Sequence, residues 1–344
     1  MNRRNVCLVG FGYWGPNLAR NVVASNSFDL CFIFEPDKSK HPKIAQLYPA
    51  VIILVSKDEL VKHQEEIEVA LIATPTSSHY ELAKQFLNLG CHIWVEKPFT
   101  NNLIEARTLL SIAKAKGLKI FVDHTYLYTS SVSEIKRRLP EIGSITYINS
   151  NRANFGIIQN DSSVIWDLAV HDLSIINYLV EKAPISVIAT ATTPFLGIQF
   201  SVATILLNYS DFLCTIHINW LSPFKVRDFT LGGTSKSIHF DDTKTEDKVK
   251  IYSQSIEDLP NYTKKDIRLY NYKYGDILIP DISNEEALGV ALSEFADYIN
   301  GGNEPPSSGD RAFDVITILA AAEISIQRSG ELVSLQSLQE EENE

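Results

Sequence analysis

The residues best suited to chemistry sit at four places in the chain. Gly10-Phe11-Gly12-Tyr13-Trp14-Gly15 spells GxGxxG directly behind an apolar run and ahead of a helical pattern. In such a turn the first glycine makes the bend and the second lets the backbone approach a pyrophosphate. The third lets the following helix pack close to the strand. The helix start offers unpaired N–H groups and the positive end of its dipole, and Pro16 in the first turn gives up no needed donor. Glu35 ends the next apolar run, 20 residues beyond Gly15. An acid there accepts hydrogen bonds from an adenosine ribose and repels a 2′-phosphate, which favours NAD over NADP. Asp37 is a second acid beside it, while Lys38 and Lys40 pull the other way. Lys97 comes immediately after the fifth apolar run, before Pro98. A partly desolvated lysine loses basicity and can donate to a substrate oxygen. Asp167 and His171 are spaced i, i+4, so one helix face carries both, and histidine is the usual proton shuttle near neutrality. A dinucleotide cradle, an ammonium group and an acid–imidazole pair are what hydride transfer at a carbinol carbon needs.

Elements must hold these groups in place. Short apolar runs rich in Val and Ile occur at Val6–Gly10, Asp29–Glu35, Ala50–Leu54, Val69–Thr74, His92–Val95 and Lys119–Val122. Helical spacing separates them, as at Tyr80–Leu89 and Leu103–Lys116. This alternation predicts an α/β domain over residues 1–123, a Rossmann-type doubly wound parallel sheet with Lys97 on its carboxyl edge. The pattern then changes. Helices are expected at Ser130–Leu139 and Ser162–Val180, and a strand at Ser144–Arg152. Runs at Ile185–Thr193, Phe200–Asn208, Phe212–Trp220, Arg227–Gly232 and Ser237–Phe240 are close enough to pair antiparallel. Residues 124–344 therefore read as an α+β domain with a large, mostly antiparallel open sheet. One of its faces is helix-covered and the other is left to solvent or a second subunit. The closing helices, Glu285–Asn300 and Arg311–Ser325, could return to the first domain. Thr243–Asp281, with Tyr252, Tyr262, Tyr270, Tyr272 and Tyr274, reads as a solvated excursion, or alternatively as a loop against a partner subunit or a substrate base. Gln336–Glu344 reads as a frayed acidic tail.

Composition narrows the classes. A length of 344 residues suggests two domains. Lys plus Arg is 31 and Asp plus Glu is 42, a net charge of −11 that opposes nucleic-acid binding. No apolar run is long enough to span a bilayer. Arg3 and Arg4 imitate the start of a signal peptide, but the apolar run behind them is short and ends in glycines, so a strand is expected. Cys7, Cys31, Cys91 and Cys214 show neither CxxC nor metal-ligand spacing. No metal centre is expected, and a reducing cytoplasm fits best.

Further strings carry a resemblance. Ala73-Thr74-Pro75 with His79, Glu96-Lys97-Pro98, the Asp167-to-Asp172 stretch DLAVHD, and closing helices with Glu294-Phe295 and Pro305 through Ala322 resemble the Gfo/Idh/MocA oxidoreductases. The likeness covers the chain apart from the Tyr-rich stretch. It implies that Lys97, His171 and Asp167 are catalytic, with His171 as general acid/base. Asp167 would bind a substrate hydroxyl or orient the histidine and lysine, and Asp172 would lie behind them or face the cofactor domain. Cofactor contacts are implied at Gly10, Phe11, Gly12, Tyr13, Trp14, Gly15, Glu35, Asp37, Thr74, Pro75, His79, Glu96 and Lys97, often with a cis bond before Pro98. Trp14 could cover a pyrophosphate or pack under the first helix, and His79 could be structural. Substrate contacts are expected at Tyr126, Arg152, Asn154, Asp167 and His171, with His124 a further candidate. GYWGPN, His124-Thr125-Tyr126 and WDLAVHDLS look most like the branch that oxidises nucleotide-linked sugars at carbon 3, as in cell-surface polysaccharide biosynthesis. The expected partners are a sugar substrate and further copies of the chain in a homodimer or homotetramer, with no nucleic acid or membrane. A dehydrogenase of a free polyol such as an inositol is the alternative. A non-catalytic NAD-binding regulator is a third reading, disfavoured because Lys97, Asp167 and His171 are all present.

Overall fold

Val- and Ile-rich runs without a polar face must be covered on both sides, and helices provide the cover. In a computed structural model of the chain, residues 3–156, 162–194, 200–258 and 270–341 are described. The first runs become β1 (Arg4–Val9), β2 (Phe28–Phe34), β3 (Ile52–Leu54), β4 (Val69–Ile72), β5 (His92–Glu96) and β6 (Ile120–Asp123). Between them lie α1 (Gly15–Ala24), α2 (His41–Leu47), α3 (Lys57–Lys62), α4 (His79–Asn88) and α5 (Leu103–Lys116). Every pairing is parallel, in the order β3-β2-β1-β4-β5-β6. Strand order reverses between β1 and β4, and ligands of such sheets bind at that crevice, outside the carboxyl ends. Local chemistry fixes the helix ends. The Ser56 and Asn102 side chains accept from Glu59 and Glu105 N–H groups at the starts of α3 and α5. Gly117, at φ +68°, stops α5 in the left-handed conformation.

The chain divides into two compact units, Met1–Thr129 with Glu285–Ile316, and Ser130–Asn284 with Thr317–Glu344. The second begins with α6 (Ser130–Arg138) and β7 (Ile145–Phe155), and a π-helical turn at Ile165–Ala169 then runs into α7 (Val170–Val180). It continues through β8 (Ser186–Thr192), β9 (Val202–Tyr209), β10 (Phe212–Asn219), β11 (Leu221–Gly233), β12 (Ser237–Asp241), β13 (Val249–Tyr252), β14 (Ser255–Asp258), β15 (Tyr270–Lys273) and β16 (Ile277–Leu278). Next come α8 (Ala287–Ile299), α9 (Gly309–Gln327), β17 (Val333–Ser334) and α10 (Leu335–Glu341). The large sheet runs β16-β13-β12-β11-β7-β10-β9-β8-β17. Alternation is clear along β9 and β10. Ala203, Ile205, Leu207, Cys214, Ile216 and Ile218 are buried, whereas Leu213 and, on β7, Tyr147 are exposed. In the first unit α8 contributes Phe295, which packs with Phe28, Trp94 and Phe121, and Trp94 stacks on Phe121 at 4.4 Å between ring centroids.

The large sheet is mostly antiparallel, as expected, with β7 and β10 paired parallel, but other expectations need correction. The expected helix from Ser162 is a π turn followed by α7. Thr243–Asp281 is not wholly a solvated excursion. Val249 and Ile251 are buried, so β13 extends the sheet, and β14 and β15 pair as a hairpin. Tyr262 lies outside the described residues. The acidic tail is helical to Glu341, anchored by buried Leu335 and Leu338. No helix among the described residues is long and apolar enough to cross a membrane.

Candidate active site

The three glycines of the first turn are needed for different reasons. Gly10 has φ +92°, and a Cβ there would lie 2.7 Å from the Ala73 carbonyl oxygen. A Cβ on Gly15 would collide with the Gly10 carbonyl oxygen. Gly12 is different, since a Cβ there would meet nothing within 4 Å. Folding therefore demands the outer two glycines and not the middle one, whose open side at the start of α1 fits a backbone-hugging pyrophosphate. Phe11 is buried edge-on to Tyr48, while Tyr13 is 93% exposed. The half-buried Trp14 donates its indole N–H to Asp123 Oδ2 at 3.1 Å.

Glu35 is buried, and the protein itself uses both of its oxygens. Oε2 accepts from the Phe11 N–H and from Lys40 Nζ, both at 2.8 Å, and Oε1 accepts from the Asp37 N–H at 3.0 Å. Burial opposes the charge, but Lys40 and the two backbone donors outweigh it and hold the carboxyl below its usual range. Glu35 thus anchors the glycine turn to the end of β2. Asp37 is exposed, with its Oδ1 accepting from the Ser39 N–H and hydroxyl. Two acids, Glu35 and Asp37, thus stand at this end of the sheet beside two lysines, the paired Lys40 and the exposed Lys38.

The loops after β4, β5 and β6 hold the next group. Thr74 accepts from the Ser78 hydroxyl, and Pro75 opens a short 3₁₀ turn. His79, fully buried, places its ring nitrogens 2.9 Å from the Pro98 carbonyl oxygen and 3.0 Å from that of Thr74. The ring ties the β4 loop to the β5 loop that carries Lys97. Burial pushes its pKa down, and the two carbonyls pull the other way. The Lys97–Pro98 bond is cis. Glu96 faces Asp123 in register across β5 and β6. Burial first, then Asp123, raises the Glu96 carboxyl well above the usual range, and burial raises Asp123 as well. His124 is 2% exposed, and neither ring nitrogen has a hydrogen-bond partner among the described residues. Burial, with Lys97 adding, pushes its pKa down to about 3, so the ring is neutral. Tyr126 is half-buried in the 3₁₀ turn Thr125–Tyr128.

In the second unit, Asp167 lies on the π turn and His171 one turn later, on α7. Asp167 Oδ2 accepts the Trp220 indole N–H at 3.1 Å. Trp166 reaches from the same turn to Glu323. Such π turns are frequent at functional sites, because the extra residue re-aims side chains. Arg152 departs from its expected role as a substrate contact. It is 5% exposed on β7 and forks onto Asp172 at 2.7 and 3.0 Å, which locks α7 to β7. A guanidinium so deep would be very costly without a carboxylate, and Asp172 is that carboxylate. Asn154 is half-buried near the end of β7. Sequence reading missed Asp123 and Trp220. Asp123 had a signal, being an acid where a buried strand ends, but Trp220 had none. Among the described residues no group of three or more His, Cys, Asp or Glu could hold a metal ion.

Comparison with known proteins adds to this picture. Residues 4–124 match the family model described as an oxidoreductase family with an NAD-binding Rossmann fold, that of Gfo/Idh/MocA. An uncharacterised oxidoreductase of Escherichia coli strain K12 is 30% identical over 178 residues, covering 48% of this chain and 50% of that protein. A UDP-N-acetylglucosamine 3-dehydrogenase of Acidithiobacillus ferrooxidans is 26% identical over 186 residues, covering 52% and 55%. The chain spans about half the length of these curated relatives. The solved structure of the Acidithiobacillus enzyme superposes with a TM-score of 0.79 at 18% identity, over 95% of this chain and 99% of that one, so the fold extends through both units.

Proposed function

Because residues 4–124 match the model of the Gfo/Idh/MocA oxidoreductases, we propose that this chain is an NAD-dependent dehydrogenase of a sugar, nucleotide-linked and oxidised at carbon 3. The observation that carries the cofactor half is the glycine turn, in which Gly12 alone is spared by the fold's own packing and Glu35 pins the loop from below. NAD, held at Gly10–Gly15, Thr74, Pro75 and Lys97, would supply the hydride acceptor. Lys97 offers an ammonium to the reacting oxygen and stabilises the alkoxide as it develops. His171 takes the hydroxyl proton or returns it in the reverse direction. Asp167, which accepts the Trp220 indole N–H, binds a sugar hydroxyl or orients the base. The nucleotide-linked assignment draws on the sequence strings named above and on the likeness to the UDP-N-acetylglucosamine enzyme. A further copy of the chain against the exposed sheet face is part of the same reading.

Mass spectrometry of small molecules released from the purified protein tests the cofactor, with NAD expected and NADP contrary to the reading. NADH formation with UDP-sugars, dTDP-sugars, free sugars and inositols tests the substrate. Turnover on free polyols alone would move the assignment to that class. No hydride transfer with any candidate would favour a cofactor-binding regulator.

A further inference from the structure

We propose that Glu96 and Asp123 form a one-proton acid pair that positions the glycine turn through the indole of Trp14. The inference deepens the cofactor reading and rests on it for its consequence, while its geometry stands without it. Glu96 and Asp123 are direct partners in the parallel register of β5 and β6, which sets their carboxyls side by side, and the buried Glu96 Oε1 has no donor among the described residues. Ionised carboxylates only accept, so this contact needs a proton between them. Asp123 is 1% exposed and also accepts from the Thr125 hydroxyl at 2.6 Å and the Trp14 indole at 3.1 Å. With those donors already on Asp123, the proton belongs to Glu96 and the charge to Asp123.

Trp14 lies between Gly12 and Gly15 and immediately precedes α1. In sheet order, β6 is separated from β1 by β4 and β5. The Trp14–Asp123 bond therefore crosses the carboxyl edge over two strands and fixes the turn from its far side, as Glu35 fixes it from β2. Lys97, the next residue after Glu96, favours ionisation of Glu96. Buried His124 is neutral, and Tyr128, with Glu294 behind it, faces Asp123 without carrying charge. If the pair lost its remaining proton, two anions would abut in a dry site and the Trp14 tie would be strained. Glu96 binds its proton more tightly folded than unfolded. The pair's stabilisation is thus complete below the ordinary glutamate value and is lost as pH rises through the folded one.

The test compares wild type with E96Q, W14F, D123N and D123L. As the pH of apo protein rises above the ordinary glutamate range, wild type should lose Tm relative to E96Q, whose amide donates to Asp123 without titrating. W14F removes only the indole donor. It should speed amide exchange across residues 10–15 and raise the Kd for NADH ~10-fold, the scale of one hydrogen bond to a charged group. D123N keeps an acceptor for Trp14 and should restore the protection that D123L abolishes. Parallel pH profiles for wild type and E96Q, or unchanged exchange at the turn in W14F, would overturn the pair. Failure of wild type to bind NADH would instead sink the cofactor reading, and the exchange and pH measurements would still decide the proposal.

Discussion

Single residues here divide into those the fold needs and those only a ligand needs, and that division yields two predictions. Gly12 is the clearest case, since a methyl group there touches nothing in the protein. Gly12→Ala should leave Tm within about a degree of wild type, as a substitution away from packing does. It should nevertheless weaken NADH binding by ~10-fold or more, because the methyl would occupy the path of a pyrophosphate. Gly15→Ala would be uninformative by comparison, because its Cβ strikes the Gly10 carbonyl and the fold itself suffers. Lys97 makes the complementary test. Its loop is held by His79, whose ring lies 2.9 Å from the Pro98 carbonyl oxygen. Lys97→Ala should keep the fold and its cofactor while turnover falls ~10²-fold or more, the usual loss for an acid–base group. Near-wild-type turnover at saturating sugar would remove Lys97 from the chemistry.

At the scale of elements, the helix carrying Asp167 and His171 is held by an ion pair that burial makes indispensable. Arg152 and Asp172 are both about 5% exposed and bidentate. Arg152→Ala would leave Asp172 buried and unpaired, a change that commonly costs about 3–5 kcal/mol. Urea unfolding should show a loss on that scale, and an Arg152→Ala, Asp172→Leu double variant should recover a substantial part of it. If Arg152 instead served a substrate and not α7, the single variant would keep its stability and raise only KM. The sequence already contained the strands, the glycine turn and the i, i+4 pair, because periodicity and local turn chemistry are written in neighbouring residues. It did not contain the partner of Arg152, because a salt bridge between a strand and a helix 20 residues on depends on how they pack. The π turn at Ile165–Ala169 was hidden for a similar reason: its extra residue has no compositional mark.

On the scale of the whole molecule, the strand alternation that made the first unit readable gave way to longer-range pairing in the second. There β7 joins β10 and β11 from far away in sequence, and β13 lies inside a stretch whose polarity suggested solvent. Burial distributes titrating groups through both kinds of structure, and His92 offers a clean way to follow one. Its Nδ1 accepts the Lys119 backbone N–H at 3.0 Å, so the ring must be neutral there. Burial, with Arg4 and Lys119 adding, pushes its pKa from 6.5 down to about 4. Above 6.5 neither state holds the proton and the group is silent. Between 6.5 and about 4 the unfolded chain takes up a proton that the folded one refuses, so stability falls as the solution is acidified. Glu96, Asp123, Glu294 and Asp314 carry raised values and act in the opposite sense, so the total profile alone does not isolate the histidine. His92→Asn does, because an amide oxygen can accept the same N–H and never titrates. Variant and wild type should melt together near neutrality, and the variant should gain steadily on wild type below about pH 6.5, levelling near about pH 4. A constant gap across that range would mean that the His92 ring is protonated in the folded chain and that the Lys119 N–H has another acceptor.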